Sequence, residues 1–346
     1  MTRAENRRDK PRVGITAGDL AGIGPEIVLK SVASPLARST ALVIIGDAQE
    51  IRRQADILGL RCPYPVARIA DAASLDFMET TLLDTGPVSS PVEWGKLSPA
   101  AGRSAIEAVE AAARLCMEGK LDALATAPIN KEAIRMAGSP FSGHTDMLAS
   151  LCGVKDSLMC FIAGDLRVIL ITVHLSLADA INAITRERVL KTIRLADREM
   201  KRFGIKAPRL AFCGLNPHAG ERGLMGIEEM IEIAPAIDVC RNESIDVSGP
   251  FPADTLFLRA ARGEFDAVVA CYHDQGLIAV KCLAFGKAVN VTLGLPIIRA
   301  SVDHGTAFDI AGRGIADPSS MIEAIRLAAR LASEEDVRYQ TGDVSQ

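Results

Sequence analysis

Short runs of β-branched and aliphatic residues alternate with amphipathic stretches along the whole chain, and this alternation constrains the fold more than any other feature. Apolar runs of strand length fall at 12–16, 42–45, 122–126, 158–163, 167–173, 209–214, 266–271 and 288–292. Helix-length segments separate most of them, which specifies an α/β protein. The clearest helix runs from Pro99 to Met117, with Ser98 as N-cap, Pro99 at the first helical position and Gly119 as the stop. A second spans 186–203, capped by Thr185 and ended at Gly204, and a last one runs from about 320 to 332. The consecutive strands 158–163 and 167–173 predict a hairpin through Gly164-Asp165, so the sheet is mixed rather than purely parallel.

At 346 residues the chain has room for about two domains, and no low-complexity linker separates them. Lys plus Arg is 39 and Asp plus Glu is 43, a net charge of −4. That balance argues against nucleic acid or an anionic membrane as partner, and so does an aromatic content of 4%. Basic groups that bind an anionic substrate must therefore be few and specifically placed. The eight cysteines contain no C-x-x-C pair and several lie within apolar runs, which is cytosolic usage. The first twelve residues are charged and expected to fray, with no apolar stretch of signal-peptide length behind them. No window approaches the ~18 apolar residues of a membrane span.

Three of the five histidines follow strand candidates. Arg167–Val173 leads into His174, and Arg209–Leu215 leads through Asn216-Pro217 into His218. Ala267–Tyr272 leads into His273, followed at once by Asp274. Loops at the carboxyl ends of strands carry side chains toward a shared crevice in α/β sheets. A single loop histidine is better explained by a backbone hydrogen bond. Three at strand ends point to a metal site, because imidazole is the commonest metal ligand and catalytic zinc usually takes three protein ligands.

Other segments carry chemistry more ambiguously. Gly18–Glu26 opens from the first strand with the glycines of a tight strand-to-helix turn, and matches neither a dinucleotide fingerprint nor a P-loop. Gly143-His144-Thr145-Asp146 reads either as an anion-binding helix start or as an N-cap turn with Thr145 or Asp146 as the cap. Lys281, Asn290 and Arg299 lie near apolar strands. Burying the two cations requires an anionic ligand or an internal carboxylate such as Asp274 or Asp303. In the segment 303–318, small residues permit close approach to a flat ligand, and Asp309 is placed to accept hydrogen bonds from ribose hydroxyls.

Taken together, these motifs resemble the 4-hydroxythreonine-4-phosphate dehydrogenase family. The resemblance rests on Gly-Asp-x-Ala-Gly-Ile-Gly-Pro-Glu at 18–26, Gly-His-Thr at 143–145 and Leu-Asn-Pro-His-Ala-Gly-Glu at 215–221. It continues through Pro-Ala-Asp-Thr-Leu-Phe at 252–257, Tyr-His-Asp-Gln-Gly at 272–276, the segment 289–299, and Ser-Val-Asp-His-Gly-Thr-Ala at 301–307. The resemblance implies two α/β/α domains around a cleft, like isocitrate and isopropylmalate dehydrogenases. The first would comprise 1–140 with 300–346 and so hold both termini; the second would comprise 141–299.

The same resemblance implies a homodimer with a shared active site. His174, His218 and His273 would bind one divalent ion (zinc, magnesium or cobalt), drawn from both subunits. His144, Thr145, Lys281, Asn290 and Arg299 would bind a small phosphorylated hydroxy acid, with Asp254 and Lys281 as candidates for proton transfer. His304, Gly305, Thr306 and Asp309 would line an NAD site. The implied reaction is NAD-dependent oxidation with β-decarboxylation, of 4-phosphohydroxy-L-threonine to 3-amino-2-oxopropyl phosphate, in the cytoplasm.

Departures from the family leave alternatives. Leu20, Ala17, Asp146 and Arg222 differ from the usual residues. The stretch Thr126–Glu132 looks more like the paralogous 4-phospho-D-threonate and 4-phospho-D-erythronate dehydrogenases. Pro-Val-x-Trp-Gly at 91–95 is similar to terephthalate-type cis-dihydrodiol dehydrogenases, which lack Asn290 and Arg299. A non-catalytic metal- or nucleotide-binding module would require a missing site group, and none is missing.

Overall fold

The computed structural model describes residues 10–284 and 288–334. Its strands are β1 (Arg12–Thr16), β2 (Ala41–Gly46), β3 (Val66–Arg68), β4 (Thr81–Asp84), β5 (Ala123–Thr126), β6 (Leu158–Ala163), β7 (Leu166–Leu170), β8 (Leu210–Cys213), β9 (Val247–Phe251), β10 (Ala267–Ala270), β11 (Val289–Leu293) and β12 (Arg299–Ser301). Helices alternate with them, and the chain is an α/β protein. It divides into two compact units: the described residues up to Lys155 with Leu295–Ser333, and Asp156–Gly294. The sequence reading set these divisions at 140 and 300. In the structure His144, Thr145 and Arg299 accordingly belong to the first unit.

The first unit holds six strands in the order β3-β4-β2-β1-β5-β12, all parallel. Every residue of β1, β2 and β5 is buried, which requires cover on both faces and explains runs such as Ala-Leu-Val-Ile-Ile. Helix Pro99–Met117 packs Val109, Ala112 and Leu115 against Val43, Ile45 and Leu124. Its ends are those expected: Ser98 accepts from the Ala101 N–H at 3.2 Å, and Gly119 takes φ 67°.

The second unit orders its strands β11-β6-β7-β10-β8-β9. β6 is antiparallel to both β11 and β7, whereas β7, β10, β8 and β9 run parallel, so this sheet is mixed as predicted. Ala163 pairs with Leu166, leaving Gly164-Asp165 as the two-residue turn with φ 61° at Gly164. Val168, Leu170, Ala211, Val268 and Ala270 form its core with Leu256, Leu277 and Val280.

Helices Arg186–Arg202 and Ser319–Glu334 agree with the expected spans to within two residues at each end. Four strands have no counterpart in the sequence reading: β3, β4, β9 and β12. β3 and β12 have only three residues, and Gly249-Pro250 interrupts the pattern of β9. Of the twelve N-terminal residues expected to fray, 1–9 lie outside the described residues. Arg12 does not fray: it opens β1, is 4% exposed, and pairs with Asp122 at 2.7 Å. Among the described residues, no helix is long and apolar enough to cross a membrane.

Candidate active site

In the second unit, neighbouring strand ends carry two of the predicted metal ligands. Thr172 and Ile171, just past β7, hydrogen-bond to the carbonyls of Cys271 (2.7 Å) and Ala270 (3.0 Å) at the end of β10. His174 and His273 follow these two segments. Their ring centroids lie 6.0 Å apart, tilted by 39°. Two imidazoles on one ion, with metal–nitrogen distances of about 2.0–2.1 Å and near-tetrahedral angles, stand about 5–6 Å apart at their centres. The pair therefore suits half of a metal site.

Helix His273–Ala284 begins at the second of these rings. His273 Nδ1 lies 2.8 Å from Asp274 Oδ1. A carboxylate only accepts, so Nδ1 carries the proton; in the neutral imidazole the lone pair is then on Nε2, the tautomer a metal ligand needs. Gln275 ties this corner to the next strand: its Oε1 accepts from the Cys271 N–H at 2.7 Å and its Nε2 donates to the Gly214 carbonyl at 2.8 Å.

His218 lies on a different kind of support. Residues His218 to Arg222 take φ of 52°, 52°, 80°, 43° and 55°, a left-handed turn. Left-handed backbone costs L-residues roughly 1–2 kcal/mol each, so the turn must be held from outside. Buried Glu229 holds it: Oε1 accepts from the Asn216 N–H at 2.6 Å, and Oε2 accepts from Asn216 Nδ2 at 3.0 Å. Among the described residues of one chain, no three His, Cys, Asp or Glu side chains group closely enough to hold a metal. One chain thus pairs His174 with His273 and does not bring His218 into a group of three.

Asp254 is exposed in the first turn of helix Ala253–Ala261, and Lys281 is exposed near the end of its own helix. Asn290, in β11, has an enclosed Oδ1 with no hydrogen-bond partner. Of the carboxylates proposed as internal partners, Asp274 engages His273 and Asp303 accepts from Ser320 at 3.4 Å.

In the first unit, Gly143 is the N-cap of helix His144–Leu151, so neither Thr145 nor Asp146 caps it. Thr145 is half-buried in the first turn. His144 is half-buried by surface, yet its Nε2 is enclosed without a partner. Burial, with the charge of Arg299, holds the His144 imidazole well below its usual pKa, hence neutral. Arg299 is 3% exposed, and burial pulls its guanidinium down to about 10. Its Nε and Nη2 donate to Thr126 Oγ1 at 3.2 and 2.8 Å.

The segment expected to line a cofactor meets the Gly18–Glu26 turn in the first unit. Ile23 N–H donates to the Thr306 carbonyl at 3.0 Å, and a Cβ at Gly22 would stand 2.7 Å from that oxygen. Ala316 N–H donates at 2.8 Å to Glu26, whose carboxylate also pairs with Lys30. His304 is half-buried with Nδ1 3.0 Å from the Gly305 carbonyl, whereas Asp309 and Gly305 are exposed. Gly312, at φ 76°, lies against Trp94, where a Cβ would stand 2.2 Å from the ring. Arg53 stacks over the same ring at 5.6 Å.

Sequence reasoning met Thr126 and Gln275 only as members of motifs and did not reach Glu229, because a hydroxyl, an amide and a carboxylate gain meaning only from the partners that folding supplies. Asp19 was visible within its motif but not in its chemistry. It is fully buried, its Oδ1 accepts from the Ala21 N–H at 2.8 Å, and its Oδ2 is enclosed without a partner. Burial pushes it up to about 6 against the opposing N–H groups of Ala21 and Asn130.

Comparison with known proteins places these elements in a family. Residues 38–328 match the family model described as pyridoxal phosphate biosynthetic protein PdxA. The chain is 46% identical over 327 residues to the D-threonate 4-phosphate dehydrogenase of Cupriavidus necator, covering 93% of this chain and 98% of the relative. It is 46% identical over 330 residues to the 4-hydroxythreonine-4-phosphate dehydrogenase of Geobacter metallireducens, covering 93% and 96%. The crystal structure of the 4-hydroxythreonine-4-phosphate dehydrogenase of Klebsiella pneumoniae superposes with a TM-score of 0.87 at 41% identity, covering 94% and 99%. The chain therefore belongs to the PdxA family of pyridoxal phosphate biosynthetic proteins and is a dehydrogenase.

Proposed function

We propose that the chain oxidises a small phosphorylated hydroxy acid with NAD, with 4-phosphohydroxy-L-threonine as substrate and 3-amino-2-oxopropyl phosphate as product. The observation that carries this reading is the enclosed Arg299 acting on a His144 whose Nε2 has no protein partner. An anion reaching Arg299 leaves water, so the attraction is little screened. A neutral imidazole beside it offers one further hydrogen bond. Thr145, Lys281 and Asn290 complete the substrate contacts, and the enclosed Oδ1 of Asn290 is suited to a donor on the substrate.

His174, His218 and His273 would hold a divalent ion (zinc, magnesium or cobalt), which would supply Lewis acidity to the reacting hydroxyl, and a bound NAD would supply the hydride acceptor. Asp274 keeps His273 in the ligating tautomer. Asp254 and Lys281 are the groups assigned to take the hydroxyl proton and to return one after CO₂ departs. Oxidation at the carbon β to the carboxylate makes that departure possible, because the electrons of the breaking bond enter the new carbonyl. His304, Gly305, Thr306 and Asp309 line the NAD site, where a carboxylate facing the ribose disfavours a 2′-phosphate.

The active unit in this reading is a homodimer with a shared site. Large apolar side chains stand exposed within nine residues after each predicted metal ligand: Leu175 and Leu177 after His174, Leu224 and Ile227 after His218, Ile278 after His273. Leu224 is 78% and Ile278 64% exposed, values that a second copy would lower. Eight free thiols support a reducing, cytoplasmic location. A net charge of −4 gives no support to nucleic acid as a partner.

A second reading has its own support. Thr126–Glu132 looks like the 4-phospho-D-threonate and 4-phospho-D-erythronate dehydrogenases, and the Cupriavidus relative carries the first of these activities in its name. The substrates share the phosphate, the reacting hydroxyl and the carboxylate. NADH formation with the three phosphorylated acids in parallel tests both readings. Turnover of the hydroxythreonine phosphate bears out the first, turnover of a sugar-acid phosphate alone favours the second, and no turnover of any overturns both.

A further inference from the structure

β5 lies between β1 and β12, and the pairing puts Thr16, Thr126 and Ser301 side by side in one row across the ends of three parallel strands. All three are buried, Thr126 completely. Arg299, two residues before Ser301, projects from the same face of β12 and directs both Nε and Nη2 to Thr126 Oγ1. We propose that Thr126 is a positioning residue for anion recognition, its buried hydroxyl fixing the plane of the Arg299 guanidinium. The inference rests on the reading that Arg299 contacts the anionic substrate.

The physical argument concerns donors and acceptors. A guanidinium offers five N–H donors in a rigid fork and no acceptor. Anchoring one edge of that fork fixes the direction of the remaining N–H groups. Thr126 is suited to anchor it, because a β-branched side chain holds its χ1 tightly. With no exposed surface, Thr126 does not touch the substrate and acts only through Arg299.

Thr126→Val keeps volume and branching but removes the acceptor that Arg299 Nε and Nη2 share. Losing hydrogen bonds to a charged group is expected to raise KM for the turned-over phosphorylated acid by about tenfold or more, with a smaller change in kcat. Thr126→Ser retains the oxygen and should return KM to within about threefold of the native value. Thr126→Cys, with a weak sulfur acceptor, provides a second test should the valine variant fold poorly, and should raise KM between those limits.

A double-mutant cycle separates positioning from general stability. In an Arg299→Ala background, Thr126→Val should change KM no further, because its route of action is gone. Additive effects overturn the inference, and so does a native KM in folded Thr126→Val or Thr126→Cys while Arg299→Ala raises KM. If Arg299→Ala itself leaves KM unchanged, the reading of Arg299 as a substrate contact fails, and the inference falls with it.

Discussion

His174 and His273 stand with ring centroids 6.0 Å apart on neighbouring strand ends of one chain. Nothing in their sequence separation of 99 residues brings them together; the parallel pairing of β7 with β10 does. Asp274 then orients one of the two rings.

In the proposed metal site, this relationship should make metal affinity sensitive to Asp274, which is not one of the assigned ligands. Asp274→Asn should weaken binding of Co²⁺, followed by its visible absorption, by about 10–100-fold, because the carboxylate that fixes the His273 tautomer is lost. His174→Ala and His273→Ala should lose the signal altogether. Native Co²⁺ affinity in all three variants would remove the pair from the metal site.

The same geometry says which inactive variants should rescue each other. Ligands that lie together in one chain cannot complement, so mixing His174→Ala with His273→Ala should restore no activity. Mixing His218→Ala with His273→Ala should restore some, because in a shared site one half of each mixed dimer keeps all three imidazoles. Recovery in the first mixture, or none in the second after verified subunit exchange, contradicts a shared site of this arrangement.

Asp19 should leave a mark on stability against pH. Its folded pKa, raised from 3.8 to about 6 by burial, means the folded state holds a proton that the unfolded chain has released. The contribution is therefore fully present below about pH 4 and is lost as pH rises through about 6. Asp19→Asn can still accept from Ala21 and carries no charge to bury. Its thermal midpoint should match or exceed that of the native protein by a few degrees at pH 7–8, with a flatter profile between pH 4 and 6, measured by thermal melts.

Trp94 is the only tryptophan, and it packs on Gly312 within the segment assigned to NAD. NADH should therefore quench Trp94 emission and draw energy transfer from it. Gly312→Ala, which sets a Cβ against the ring at positive φ, should weaken that response by about tenfold. Steady-state kinetics should favour NAD over NADP, and Asp309→Ser should narrow the gap. A native preference for NADP would mean that Asp309 does not face the ribose.

By itself the sequence determined the α/β class, the helix Pro99–Met117 with both its ends, the Gly164-Asp165 hairpin, and the strand-end positions of three histidines. These rest on local causes: hydrophobic period, cap residues and a glycine at a turn. The tertiary structure decided what depends on contacts between distant residues. It paired His174 with His273 and set His218 apart on a left-handed turn held by Glu229. It placed Thr126 under Arg299 across 173 positions and Trp94 against Gly312. It also formed β3 and β12, three-residue strands whose identity comes from the neighbours they pair with rather than from any pattern of their own. Hydrogen-bond partners, burial and the pKa shifts they cause are properties of the assembled interior, and no local periodicity encodes them.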